Sequence, residues 1–393
     1  MKNYGLSTIS AILGNMLAYR NLEPMDERLP SFTDTAARAG FAGRVVPRKV
    51  EPDYARVMVE LLHTARALDA PDTTLRRLVC VGDTRMNDGV AFRNLCEAGG
   101  WAGMAFIGSE SRNAARVELV NEANTTLYLA NRWGMLDEFD HYCRAHDFPI
   151  DEETAVILDL DKTALGARGR NDHVIDQARL EAVRQTVEDL LGSAFDMAEF
   201  EGCYSMLNRP DFHPFTTDNQ DYLAYVCLIL GSDLFTLESL IEDIRSGRLE
   251  AFTQFMASVE ARARELPEQL QTLHADIYER VRSGDATPFK TFRYNEYRLT
   301  VGRMGQLGAE ASVSALLAHE LVLTQEVCEV AQRWGEQGAL LFGLSDKPDE
   351  ASLPSPALAR EGFRPLHQTA THAVGGGSLA LTDEVWSTGD TVS

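Results

Sequence analysis

The stretch V-C-V-G-D-T-R-M-N-D, Val79 to Asp88, turns from apolar residues into Gly-Asp and then Asn-Asp. A second run, V-I-L-D-L-D-K-T from Val156 to Thr163, ends the same way in Asp159 and Asp161. A buried strand that breaks into carboxylates delivers acids to a site at its end, and in open α/β sheets ligands gather at the carboxyl ends of strands. A third run, Ala339–Gly343, leads to Leu344, Ser345 and Asp346. If these strands are neighbours, the acids converge with a hydroxyl. Such a cluster repels itself unless a hard cation joins it, and Mg²⁺ suits an all-oxygen site with few protein ligands. The candidate ligands are Asp83, Asp88, Asp159 and Asp161. A Mg²⁺ held by carboxylates handles phosphate, because it offsets the repulsion between an anionic nucleophile and a phosphoryl dianion.

In D-x-D the two carboxylates diverge, which allows a division of labour. Asp159 attacks phosphorus and forms an aspartyl-phosphate. Asp161 protonates the leaving oxygen and later activates water. The spread charge of a transferring phosphoryl group also calls for an electropositive partner. Lys49, in V-V-P-R-K-V-E-P-D-Y, is the first candidate, and Lys347, in S-D-K-P-D-E-A, is its rival. Thr163 supports the loop through local backbone bonds and lies where substrate would approach. In G-A-R-G-R-N-D, Arg168 and Arg170 either reach the substrate's phosphate or are solvated linker charges.

The elements that would position these residues are short apolar runs: Leu78–Val81, Met104–Ile107, Leu127–Leu129, Val156–Leu158 and Ala339–Phe342. Helical patterns separate most of them, with Val57–Ala67 before the first run and Asp88–Ala98 after it. Near-continuous apolar strands alternating with helices predict an α/β fold with a doubly wound, Rossmann-like parallel sheet covered on both faces. Between Ala164 and about Glu320 strand signals vanish and helical spacing takes over, so an all-helical insertion is expected there. Leu6, Ile9, Leu13 and Leu17 recur at helical spacing and predict an N-terminal amphipathic helix. From His367 on the chain is rich in Thr, Ser and Gly and predicts a flexible tail, and the Gly375–Gly377 triplet reads as a turn segment.

The formal net charge of −22 over 393 residues disfavours broad binding to nucleic acid or anionic lipid. No apolar run reaches the roughly 18 residues of a membrane span. The six cysteines are scattered without a C-x-x-C pair, which points to reduced buried thiols and, with the lack of a secretory signal, to a cytoplasmic protein. Pro288–Arg298 mixes Lys290, Arg293 and Arg298 with four aromatic residues. It reads as a helix packing its rings and snorkelling its bases, with closure over an anionic substrate as the alternative. His319-Glu320 lacks the second histidine of a zinc-protease motif, and His367 and His372 carry no signal.

Asp159-Leu160-Asp161-Lys162-Thr163 resembles the first motif of the haloacid dehalogenase superfamily, D-x-D-x-T after an apolar strand. The run ending in Ser345 resembles its second motif, Lys49 its third-motif lysine, and Gly82-Asp83 with Asp88 its fourth. The family's usual order is first to fourth. Here the order is third, fourth, first, second, which is a cyclic rotation that a circular permutation produces while leaving strand adjacency intact. The resemblance implies a Mg²⁺-dependent phosphatase acting on a small phosphorylated metabolite, with a helical cap between the first and second motifs. The implied layout is core at 1–163, cap at 164–325, core again at 326–366 and tail at 367–393. The chain departs from the family's pattern at Lys162, a position that is often Gly. It departs again in the Asp83-to-Asp88 spacing, which is one residue longer than the commonest. Dehalogenation would leave Asp161 without a task. The alternatives are a phosphotransferase of a biosynthetic pathway, recognised by product analysis with an acceptor alcohol, and a non-catalytic metal- or phosphate-binding scaffold, recognised by retention without turnover. Substrate identity and oligomeric state are not legible.

Overall fold

The computed structural model describes residues 1–41, 45–217 and 219–376, and the backbone of 386–388. Its strands are β1 (Lys2–Ser7), β2 (Leu17–Ala18), β3 (Arg77–Gly82), β4 (Ala102–Gly108), β5 (Val117–Glu122), β6 (Thr125–Ala130), β7 (Thr154–Asp159), β8 (Leu323–Thr324), β9 (Leu340–Leu344), β10 (Thr371–Gly375) and β11 (Trp386–Thr388). Among the described residues, eight of them form one sheet in the order β11-β5-β6-β4-β3-β7-β9-β2. The pairs from β6 to β2 are all parallel, and only β5–β6 is antiparallel. The other three make a small sheet, β1-β10-β8.

Side chains of successive strand residues point to opposite faces, and both faces here are apolar. Val79, Val81, Met104, Phe106, Val156 and Leu158 enter one core, with Phe139 and Cys143 of helix Leu136–Ala145 and Val327, Val330 and Trp334 of helix Gln325–Glu336. Leu78, Cys80, Ala105, Ala155 and Ile157 enter the other, with Val57, Leu61 and Leu62 of helix Pro52–Asp69 and Phe92 and Leu95 of helix Val90–Gly99. Helices on both faces of a mostly parallel sheet define an α/β architecture.

The chain divides into two compact units. The first holds Met1–Gln177, Thr300–Leu353 and the described residues from Ala359 on. The second, Ala178–Leu299 with Pro354–Leu358, is helical around its own core, which includes Phe255, Tyr225 and Phe292. The insertion is therefore narrower than the expected 164–325. Its expected first and last segments are tied into the α/β unit instead: Thr324 N–H bonds the Ala164 carbonyl at 2.9 Å, and Val322 N–H bonds the Asn171 side chain at 3.0 Å.

Two further expectations are corrected. The N-terminal segment is not one amphipathic helix. It is β1, a four-residue helix Ser10–Leu13 and β2, because β10 offers residues 2–7 a partner. The expected flexible tail is ordered as far as it is described. Leu366–Gln368 forms a helical turn, β10 is buried along its length, and Gly376 N–H bonds Glu326 at 3.0 Å. Residues 377–385 and 389–393, including the last glycine of the triplet, lie outside the described residues. Among the described residues no helix is long and apolar enough to cross a membrane. All six cysteines are free, five of them buried.

Candidate active site

Parallel register brings three strand ends level. Val81 of β3 pairs with Leu158 of β7, and Asp159 at the end of β7 pairs with Leu344 at the end of β9. Asp159 therefore closes its strand, Asp83 follows β3 directly, and Ser345 follows β9 directly. One ligand oxygen each from Asp83, Asp88 and Asp159 lies within 4.8 Å of the others.

Lys49 enters from the segment before helix Pro52–Asp69. Its ammonium donates to Asp88 Oδ1 at 2.6 Å and to Asp159 Oδ1 at 2.7 Å. The other Asp159 oxygen accepts from the Thr163 hydroxyl at 2.9 Å. The sequence predicts a local backbone partner for Thr163; the partner of its hydroxyl is instead the Asp159 carboxylate, four residues back at the end of β7. Asp88 Oδ2 accepts from the backbone N–H groups of Asp83 and Thr84, at 3.0 and 2.9 Å, and from the Thr84 hydroxyl at 3.2 Å. Both Asp88 oxygens are thus engaged. A Cβ at Gly82 would fall 2.6 Å from Asp88 Cβ and Cγ, so only glycine lets this carboxylate fold back on its own strand.

The long spacing between the two acids has a structural answer. Arg85–Gly89 forms a single wide π turn, with Gly89 N–H bonded to the Thr84 carbonyl at 3.1 Å. Such turns absorb one extra residue inside a helix and cluster at functional sites. The turn rotates Asp88 back to β3 and leaves Met86 exposed at its outer edge. Lys162 also has an answer. Its φ is +63°, a left-handed conformation that costs a non-glycine residue roughly 1–2 kcal/mol. An ion pair to Asp176, at 2.8 and 2.9 Å, holds its side chain.

Arg168 donates through Nε to Asp83 Oδ2 at 2.5 Å. Arg170, its expected companion, is directed elsewhere. It is bonded to both Glu326 oxygens, at 2.9 and 3.0 Å, and to Glu110 at 2.9 Å, so it is a buried structural ion pair and not a ligand for phosphate. Lys347 is buried, with its ammonium 3.9 Å from Asp161, and its backbone N–H bonds the Ser345 hydroxyl at 3.1 Å. The two lysines therefore occupy different acids, Lys49 on Asp159 and Lys347 beside Asp161. Asp346 pairs with Arg20. Thr84, Arg20 and the Trp133 indole, which donates to the Arg168 carbonyl at 3.1 Å, were not singled out from sequence. Nothing in a lone Thr or Trp marks such a role.

The charges are unevenly satisfied. Burial works against the Lys49 ammonium, but Asp159 and Asp88 outweigh it and raise its pKa. Burial pushes Asp88 up, yet Lys49 and the Thr84 N–H bring it down to about 2. Burial, with the Asp88 charge added, pushes Asp83 up to about 7 against the pull of Arg168. Burial also raises Asp159 against the pull of Lys49. Burial is the first cause of both upward shifts, and the neighbouring acids add to it. The donor set is all oxygen and fits a hard divalent cation.

Compared with protein-family models, with curated proteins and with solved structures, the chain matches none of them.

Proposed function

We propose that this chain is a Mg²⁺-dependent phosphohydrolase of haloacid dehalogenase type, with its motifs in rotated order, that acts on a small phosphorylated metabolite. The observation that carries the reading is the Lys49 ammonium bridging Asp159 and Asp88. Three segments, more than 30 and more than 100 residues apart, meet in the combination that phosphoryl transfer through an aspartate requires. The adjacency of β3, β7 and β9 supports the rotation, because the strands bearing the fourth, first and second motifs are side by side. The helical unit takes the place in the chain where a cap is expected.

Asp83 and Asp159 would hold the ion. Asp88, bonded to Lys49, two backbone N–H groups and a hydroxyl, also anchors the lysine and the β3 turn. When bound, the ion supplies the positive charge that lets an anionic carboxylate approach a phosphoryl dianion. Asp159 attacks phosphorus, and the bond from phosphorus to the leaving oxygen breaks as Asp161 gives that oxygen a proton. Asp161 then takes a proton from water. The water oxygen bonds phosphorus, the bond to Asp159 breaks, and inorganic phosphate leaves. Lys49 steadies the charge on the transferring group, and Thr163 keeps the Asp159 carboxylate aimed.

A panel of phosphorylated metabolites assayed with Mg²⁺ tests this. Wild type should release phosphate from at least one compound and Asp159→Asn from none. Equal behaviour on every compound would sink the assignment.

A further inference from the structure

Two arginines leave the same loop and meet opposite fates. Arg170 is clamped by Glu326 and Glu110, with its side chain 5% exposed. Arg168 keeps its side chain 37% exposed while it caps Asp83, which is 9% exposed. The backbone beneath Arg168 is fixed. Its N–H bonds the Lys162 carbonyl at 2.8 Å, and its carbonyl accepts from Glu110 N–H at 2.8 Å and from the Trp133 indole. Gly169 follows with φ +74°, and a Cβ there would fall 2.1 Å from the Glu110 carbonyl oxygen. The loop therefore holds its course, while the guanidinium sits on a long, partly exposed stem and bonds Asp83. Lys49 differs again, buried and pinned between two acids.

We propose that Arg168 is an internal counter-cation for Asp83, which gives up this carboxylate to an incoming divalent ion and then turns to the phosphate of the substrate. The second half rests on the phosphohydrolase reading above. A guanidinium at 2.5 Å and a divalent ion compete for one carboxylate through like-charge repulsion, so ion uptake must loosen the pair. Once released, the planar fork matches a phosphate's oxygens. Arg168 thereby keeps the acid cluster tolerable before the ion arrives and becomes a substrate-binding residue afterwards.

Calorimetric titration of Mg²⁺ into the full chain tests the first half, with wild type, Arg168→Gln and Arg168→Lys compared and thermal melting as the folding control. Arg168→Gln should bind Mg²⁺ more tightly than wild type, by roughly fivefold or more. Arg168→Lys, which keeps the charge, should stay near wild type. With Mg²⁺ saturating, Arg168→Gln should bind inorganic phosphate more weakly by a similar factor, which tests the second half. If Mg²⁺ affinity is the same in wild type and Arg168→Gln, the counter-cation proposal is overturned while the phosphohydrolase reading stands. Phosphate affinity indifferent to residue 168 overturns the second half. If none of the three proteins binds Mg²⁺, both readings fall together.

Discussion

Each unit buries a cluster of charges, and the two clusters are solved differently. In the helical unit, Arg293 donates to Asp221 at 2.7 Å and to Glu296 at 2.6 Å, and Arg179 adds a bond to Glu296 at 3.1 Å. The remaining Asp221 oxygen accepts from Phe289 N–H at 3.0 Å, and Phe292 lies under the guanidinium. Two acids thus face two arginines. At the ends of β3 and β7, three acids face Lys49 and Arg168. Burial alone does not mark a site, because a balanced set serves folding and specificity. Acid left in excess, level with strand ends, is what sets the second cluster apart. The comparison also bears on the basic-aromatic segment Pro288–Arg298. Phe289, Phe292 and Tyr297 are fully buried and Arg293 belongs to the balanced cluster, so the segment packs these rings in the helical unit's own core.

The comparison can be broken in four places. The largest effect belongs to the unbalanced cluster: Asp159→Asn should lower phosphatase turnover by about 10³-fold or more with the fold intact, read by phosphate release beside circular dichroism. The balanced cluster should respond in stability instead. Arg293→Met leaves two buried carboxylates short of a partner and should cost about 3–5 kcal/mol in urea unfolding. Sharper still is the sign of neutralising one acid in each cluster. In EDTA, Asp83→Asn removes repulsion with Asp88 and should raise the melting temperature by roughly 2–4 °C, whereas Asp221→Asn should lower it. Equal signs would erase the distinction between the clusters.

The smallest effect concerns a third buried polar group. His367 bonds the Tyr19 hydroxyl through Nδ1 at 3.1 Å, and burial lowers its pKa to about 4. The folded state therefore favours the neutral ring, while the unfolded chain takes up a proton near pH 6.5. Stability should be complete above about pH 6.5 and decline as pH falls toward 4. His367→Gln should flatten that part of a melting-temperature-against-pH curve.

Much of the α/β unit was legible because its central strands are continuous apolar runs bounded by turn residues. β3, β4, β6, β7 and β9 all fall where Leu78, Met104, Leu127, Val156 and Leu340 announce them. The acids were legible because Asp83 and Asp159 end such runs, and Lys49 because a site for phosphoryl chemistry needs a cation and this lysine precedes the helix that leads into β3. What escaped was non-local. The apolar spacing of Leu6, Ile9 and Leu13 is ambiguous by itself and was decided by a partner more than 360 residues away, since Lys2 pairs with Gly375. β10 hid in a Thr- and Gly-rich context for the same reason, and His372 within it is buried against Glu320 at 2.7 Å. The insertion boundaries were misplaced because helical texture persists past Thr300, although those residues pack with the sheet. Arg168 and Arg170 share one local sequence, and only the acids that each meets in space tell them apart.

The β1–β10 pairing bears on how the molecule is made. On the ribosome, the first strand emerges long before the segment it must join, and the small sheet cannot close until residue 375 has left the exit tunnel. The helical unit is nearly contiguous along the chain and faces no such wait. Nascent chains whose residue 310 has just left the tunnel should therefore carry a structured helical unit and an α/β unit that still lacks β8, β9 and β10. Until residue 375 follows, β1 lacks the β10 backbone it pairs with and presents an open strand edge.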